Sequence, residues 1–395
     1  GYCSVFLVVE GGMAAAMEAT TATPRRWLAV LGFIVASQGA RVSKPGPNHI
    51  EAGVPKAGHA YFFSVGDFGV KGCEDAWKSN DSYHGKKSCD GKHQFVVADA
   101  MEQFARGLRP EFVLSLGDNF YSSGVTSLRD RQLNSSFEHV YGRGALANVP
   151  WKVILGDHDH CGNVSALIDY TWHSPRWQLP SLYHRLPIEL PSGGGSLELI
   201  LLDSIGLEGA MGRDLTKARR FGGEYTDKYA GYDAGNAQWE WLRGALGEAR
   251  AGEGPVMRIV ASHRPVLTLA KRSRFATEGK VAHRLRHRLR SAAGAAPVLL
   301  LSGHDHTMQH LKEPGRNLHY MVNGVGGMKP HFFESLEDGG RARGGALAAA
   351  RESFVWGSES HGFAVHEVGP ASLTTHFIDA RGLRVLYSQE IPYAQ

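Results

Sequence analysis

Four polar residues in a row, Asp157, His158, Asp159 and His160, follow the apolar run VILG at 153–156. Each can bind a metal or carry a proton, and four such side chains after a buried strand are costly unless they serve a site. Four other apolar runs end in the same way. AYFFSV leads to Asp67, EFVLSL to Asp118 and then Tyr121, VMRIVAS to His263, and VLLLS to His304, Asp305 and His306. Loops at the carboxyl ends of strands in an open α/β sheet gather at one edge, so these endings are expected to converge. Carboxylates, imidazoles and a phenol meeting there make a metal site.

Asp67, Asp118, Tyr121, Asp157, His263, His304 and His306 are seven donors, too many for one ion. Two adjacent ions sharing a bridging carboxylate would use them all, and a metal pair roughly 3.5–4 Å apart suits displacement at phosphorus. A tyrosinate among hard oxygens favours Fe(III). A trivalent ion lowers the pKa of water further than a divalent one, so a hydroxide nucleophile persists at acidic pH. One such Asp alone would pass for a helix cap, and Tyr121 alone for a core tyrosine. The ordered set points to chemistry.

The elements that must position these residues alternate along the chain. Apolar strands are predicted at 60–65, 111–116, 151–155, 197–203, 256–262 and 298–302, with helical periodicity at 93–108, 236–250 and 281–293. The later runs LHYMVN, GFAVHEV, SLTTHFI and LRVLYSQE are strand-like. The pattern is a mixed α/β fold with a strand-rich C-terminal part. The stretches 338–350 and 206–231 look like surface excursions, and the basic run 271–290 reads as a solvated helix face. His160 is read as a structural residue rather than a ligand.

A composition of 43% hydrophobic and 21% charged residues is globular, and 43 basic against 39 acidic residues gives no argument for nucleic acid. No run reaches the ~20 apolar residues of a membrane-crossing helix. Arg25 and Arg26 precede the apolar run WLAVLGFIVA and small residues, the pattern of a secretory signal peptide over 17–40. Residues 1–16 are read as an upstream extension and 41–58 as a linker, leaving one domain over 59–395. The expectation is a secreted or endolysosomal (vacuolar) monomer, with no stable membrane span once the signal is cleaved. Sequons at Asn80, Asn134 and Asn163 agree with export. Cys73 and Cys89 bracket a polar loop and either pair in an oxidising compartment or bind zinc, though no CxxC spacing supports zinc. Cys161 is left as a free thiol.

The five blocks GDFG, GDNFY, GDHD, VASH and GHDH resemble the signature of the metallophosphoesterases, and specifically of the purple acid phosphatases. Gly69 stands where a common metallophosphoesterase has His, and Tyr121 enters the second block, which is the purple arrangement. The strings FVLSLGDNFY, GNVSA, LLDS and LSGHDHTMQ are similar to the small, mammalian-type tartrate-resistant acid phosphatases, from about residue 60 onward. The resemblance implies a two-sheet β-sandwich flanked by helices, with a dimetal site at the carboxyl ends of the strands. It implies that Asp67, Tyr121 and His306 hold Fe(III), that Asp118 bridges, and that Asp157, His263 and His304 hold a second, divalent ion (Fe, Zn or Mn). His158 would be the general acid, with Asp159 orienting it. The activity implied is acid hydrolysis of phosphate monoesters, small or on phosphoproteins, by a metal-activated hydroxide.

Two positions depart from that family. Asp157 replaces an Asn ligand, and the added negative charge predicts tighter divalent-metal binding and a weaker or pH-shifted phosphatase. A second active-site His after the VASH block is missing, and Lys271 or Arg272 is the candidate to stand near the phosphate instead. The competing readings are a non-catalytic scaffold on the same fold, as in apicomplexan relatives that have lost several ligands, and a related phosphodiesterase or nucleotidase. Retention of an oxygen or nitrogen donor at all seven positions favours the enzyme.

Overall fold

Strand β1, Ala60–Val65, shows how the layers are made: Phe62 turns to one face while Tyr61, Phe63 and Val65 turn to the other, and all four are buried. The same period of two recurs in β2 (Val113–Ser115) and β3 (Trp151–Val153), which continue from β1 as parallel neighbours and lead to the two-residue β4, Trp177–Gln178. The computed structural model describes residues 54–70, 92–193, 195–209, 232–247, 255–271, 279–334 and 344–394. The leader, the extension, the Cys73–Cys89 loop, the Asn80 sequon, Arg272 and residues 210–231 lie outside them.

The remaining strands are β5 (His184–Glu189), β6 (Ser196–Leu202), β7 (Met257–Ser262), β8 (Val298–Ser302), β9 (Met308–Lys312), β10 (Leu318–Asn323), β11 (Phe354–Ser358), β12 (Gly362–Val368), β13 (Ser372–Asp379) and β14 (Arg384–Pro392). They form two seven-stranded sheets, in the orders β14-β13-β12-β1-β2-β3-β4 and β11-β9-β10-β8-β7-β6-β5. Between the sheets lie Phe62, Leu114, Ile154, Leu199, Leu201, Ile259, Leu299, Leu301, Met321 and Phe377. The outer face of the first sheet is covered by the helix Lys92–Leu108, whose Val97, Met101, Phe104 and Leu108 are buried. The outer face of the second is covered by the helices Tyr232–Ala245 and Lys280–Ala292 through Trp239, Leu242, Leu285 and Leu289. This is the expected two-sheet sandwich flanked by helices.

Several expectations are corrected. The helix read at 236–250 starts earlier and ends at Ala245. The stretch 338–350 is not wholly a surface excursion, because Gly344–Ser353 is a helix whose Ala350 is buried. The segment from 206 begins inside a short buried helix, Ser204–Gly209. The basic helix is more than a solvated face: Arg286 donates to Glu313 at 2.7 and 3.0 Å, Arg290 pairs with the same carboxylate, and Tyr320 donates to it at 2.7 Å. Glu313 is fully buried, and a buried carboxylate requires such partners. Arg284 lies over the Trp239 ring at 4.3 Å, so three of the helix's arginines work as packing and docking groups. No described helix is long and apolar enough to cross a membrane.

Candidate metal centre

The parallel strands β1, β2 and β3 of one sheet, and β7 and β8 of the other, run their carboxyl ends to a common edge. Asp67, Asp118 and Asp157 follow the first three, and His263 and His304 follow the other two. Three of the ligand candidates hold left-handed backbone, at φ 59° for Asp67, 52° for Asp118 and 66° for His304. Non-glycine residues there cost roughly 1–2 kcal/mol each and concentrate at functional sites.

Close backbone approach explains the glycines. A Cβ on Gly156 would lie 2.1 Å from Asp118 Oδ1. One on Gly69 would lie 1.6 Å from the Asn119 carbonyl oxygen, where the first and second blocks pack together and the Tyr121 N–H donates to the Gly69 carbonyl at 2.8 Å. Even alanine has no room there, so Gly69→Ala is expected to destabilise the fold by about 3 kcal/mol or more, read as a shifted urea midpoint. An unshifted midpoint would show that the loops part freely.

The donors assemble into two adjoining groups. In the first, the Tyr121 hydroxyl lies 2.9 Å from Asp67 Oδ1, 2.8 Å from Asp118 Oδ2 and 3.5 Å from His306 Nε2, and His306 Nε2 is 3.4 Å from Asp67 Oδ1. In the second, Asp157 Oδ1 lies 3.1 Å from both His263 Nε2 and His304 Nδ1, and His263 Nε2 is 3.3 Å from Asp118 Oδ1. Asp118 therefore turns one oxygen to each group. Donor atoms about 3 Å apart match ligands arranged around a cation with bonds of about 2.0–2.2 Å.

The hydrogen-bond partners behind the ligands agree. The Leu116 carbonyl accepts from His263 Nδ1 at 2.8 Å and the Lys329 carbonyl from His306 Nδ1 at 2.9 Å, so each ring turns its Nε2 to the site, where a cation would displace the proton that the neighbouring carboxylates favour. The His304 N–H donates to Asp67 Oδ2 at 2.8 Å, and the His158 N–H to Asp118 Oδ1 at 2.9 Å.

Charge gives the same answer. Burial and the carboxylates of Asp118 and Asp67 hold the Tyr121 phenol well above its ordinary value. A phenolate there needs a cation to offset those charges. Burial alone would raise the Asp118 carboxyl, but the neighbouring His263 brings it down to about 2. Three carboxylates and a phenol within a few ångströms, with imidazole lone pairs aimed among them, fit a pair of cations.

All seven sequence-predicted ligand candidates thus come together. His158 sits at the rim with a 37% exposed side chain, its Nδ1 donating to the Ser122 carbonyl at 2.6 Å and its ring 4.4 Å from that of Tyr121. Asp159 is not beside it. The Asp159 carboxylate turns inward and accepts from the backbone N–H groups of Asn119, Phe120 and Gly156 and from Asn119 Nδ2, all within 2.8–3.1 Å. Its role is to tie the second block to the third, and the Ser122 carbonyl orients His158 instead. Burial and the nearby Asp118 push Asp159 up to about 6. His160 is structural as expected, bonded to Asp203 Oδ1 at 3.0 Å. Asn163 caps a helix by accepting from the Ala166 N–H at 2.8 Å. The Cys161 thiol donates to the Asp157 carbonyl and is pushed up to about 11 by burial.

Two further groups at the site carry no such pattern in the sequence. Arg264 reaches Asp157, as described below, and its only sequence mark is its place directly after His263. His331 stacks on the His306 ring at 4.2 Å and accepts from the His306 N–H at 3.3 Å. Nothing in the sequence around it repeats the strand-then-ligand pattern. Lys271 is exposed, and its N–H donates to the Phe332 carbonyl next to His331.

Comparisons with known proteins agree with this geometry. The family model for calcineurin-like phosphoesterases matches residues 65–308, the span that contains all seven donors. The chain is 32% identical over 296 residues to tartrate-resistant acid phosphatase type 5 of Homo sapiens, covering 72% of this chain and 80% of the relative. Among solved structures, GAP50, the anchor in the inner membrane complex of Plasmodium, superposes with a TM-score of 0.62 at 19% identity, covering 85% of this chain and 90% of that one. The purple acid phosphatase PPD1 from yellow lupin (Lupinus luteus) seeds superposes with a TM-score of 0.54 at 12% identity, over 86% of this chain and 55% of that one. These two likenesses are of fold.

Proposed function

Since this chain belongs to the calcineurin-like phosphoesterases and, within them, to the tartrate-resistant purple acid phosphatases, we propose that it hydrolyses phosphate monoesters at a dinuclear metal centre. Family and paired donor groups make it a metal-dependent hydrolase. The single observation that carries the finer reading is the division of Asp118, one oxygen on each donor group. Asp67, Tyr121 and His306 would hold Fe(III), Asp157, His263 and His304 a divalent ion (Fe, Zn or Mn), and Asp118 would be shared. Bound there, the cations supply a clamp for phosphate oxygens and acidify a water for attack on phosphorus.

His158 supplies the proton for the leaving oxygen in this reading. Its Nδ1 proton is committed to the Ser122 carbonyl, so the exchangeable proton is on Nε2. Burial would lower the imidazole, but Asp118, Asp157 and the Ser122 carbonyl together raise it above its ordinary value. Bound cations offset the two carboxylates and leave the carbonyl's contribution in place. The His158→Ala variant is expected to keep its metal content. It should lose about 10²-fold or more in kcat on an alkyl phosphate, and far less on p-nitrophenyl phosphate, whose leaving group needs no proton. Equal losses on both substrates would remove His158 from that role.

The test of the whole reading is a purified sample with its metal content, its visible spectrum and its p-nitrophenyl phosphate hydrolysis from pH 4 to 8. A tyrosinate-to-Fe(III) band and activity are expected. A colourless, metal-free and inert protein would leave the scaffold reading standing. An exported or endolysosomal location belongs to the same proposal and rests on the leader pattern at 17–40, which N-terminal sequencing of the mature protein would check.

A further inference from the structure

Arg264 follows His263 at the end of β7, in the second sheet, and reaches across to a residue of the first. Its Nη1 donates to both oxygens of Glu208, at 2.7 and 2.5 Å, and its Nη2 lies 3.4 Å from Asp157 Oδ2. Its backbone N–H donates to the Ser204 hydroxyl at 3.3 Å, so the helix Ser204–Gly209 holds both its chain and its fork. The Arg264 side chain is 10% exposed and that of Glu208 9%. The two oxygens of Asp157 are thereby divided. Oδ1 faces His263 and His304, and Oδ2 faces the guanidinium.

We propose that Arg264, anchored by Glu208, is a positioning residue that makes a carboxylate, and not a carboxamide, the effective ligand at position 157. The inference rests on the dinuclear reading above. A carboxylate has two acceptor oxygens and serves a guanidinium and a cation at once. A carboxamide has one oxygen and one NH₂. Beside a fixed guanidinium, an asparagine either sets its NH₂ against the Arg264 donors or gives its oxygen to Arg264 and turns its NH₂ toward the cation. The first choice leaves donors opposed beside a guanidinium that is only 10% exposed, and the second removes a ligand. Asp157 and Arg264 therefore act as one unit. Restoring the family's Asn at 157 alone weakens the site rather than repairing it.

The test is Zn(II) titration of metal-stripped protein by calorimetry, comparing the penalty of Asp157→Asn in two backgrounds. One background is the wild type. The other is Arg264→Met/Glu208→Gln, which removes the guanidinium and its buried partner together so that neither charge is left unpaired. Asp157→Asn is expected to weaken Zn(II) at the second site at least about tenfold more with Arg264 present than without it. If the paired change does not fold, Arg264→Gln is the second background, since its amide can turn to meet either side chain, and the same excess is expected. Equal penalties in the folded background, or wild-type Zn(II) affinity for Asp157→Asn alone, would overturn the proposal. A wild type that takes up no second Zn(II) would instead overturn the dinuclear reading beneath it.

Discussion

Taking the protein from pH 7 to pH 5 is expected to lower its stability by about 2 kcal/mol for each of three buried imidazoles. His366 is fully buried between Ser64 and Thr375, with Phe62 stacked on its ring, and burial lowers it to about 3. His310 and His319 bond to each other at 2.9 Å between β9 and β10, and burial lowers them to about 3 and about 4. In the unfolded chain each titrates near the ordinary 6.5, so below that pH the unfolded state binds the extra protons. Their contribution is complete above pH 6.5 and is lost as pH falls toward the folded values. Three such groups weigh heavily against a typical total of about 5–15 kcal/mol.

Urea midpoints at pH 7, 6 and 5 should therefore fall steeply. A neutral replacement such as His366→Gln should flatten the slope by about 1.4 kcal/mol per pH unit. An unchanged slope in His366→Gln would show that this ring takes its proton as readily inside the fold as in the unfolded chain. For an enzyme of acid-phosphatase type the effect matters in practice. Ions bound at the site would offset part of this loss at acidic pH, because they stabilise the native state by mass action.

The second large effect is expected at Asp118. Asparagine is nearly isosteric and tolerates the left-handed backbone found there, so Asp118→Asn should fold. It cannot turn an oxygen to both donor groups, because one side now meets an NH₂. We expect loss of at least one ion per molecule and a fall in kcat/KM of about three orders of magnitude, roughly 4 kcal/mol of transition-state stabilisation. Two retained ions with activity within tenfold of wild type would show that Asp118 is not shared.

Much of this site was legible because its parts repeat one pattern. An apolar run of period two, a turn and a donor place Asp67, Asp118, Asp157, His263 and His304 at strand ends without knowledge of the partner strands. What the pattern did not reveal lies in contacts made across loops and between sheets. Asp159 has the residue type and position of a partner for His158, yet its carboxylate is used by three backbone N–H groups. Arg264 depends on Glu208, which is 56 residues away in the chain. Strands β4, β5, β9 and β11 carry no clear strand pattern in the sequence. β4 has two residues, and the alternation in β5 places its leucine partly buried and its proline, Arg185 and Glu189 outward. β9 begins where the GHDH block draws the eye to chemistry rather than to pairing.

The donors also divide by sheet. Every carboxylate and the phenol come from loops of the first sheet, between residues 67 and 157, and every imidazole from loops of the second, between 263 and 306. As the chain is synthesised, the oxygen donors emerge long before any nitrogen donor. Of the seven ligand candidates, a chain ending before residue 263 holds only the hard ones, which suit calcium or magnesium better than zinc. A zinc-type site comes into being only when the second sheet has closed on the first. The ions would then join the two halves like a rivet, and full metal content in a preparation would record that the sandwich had been completed.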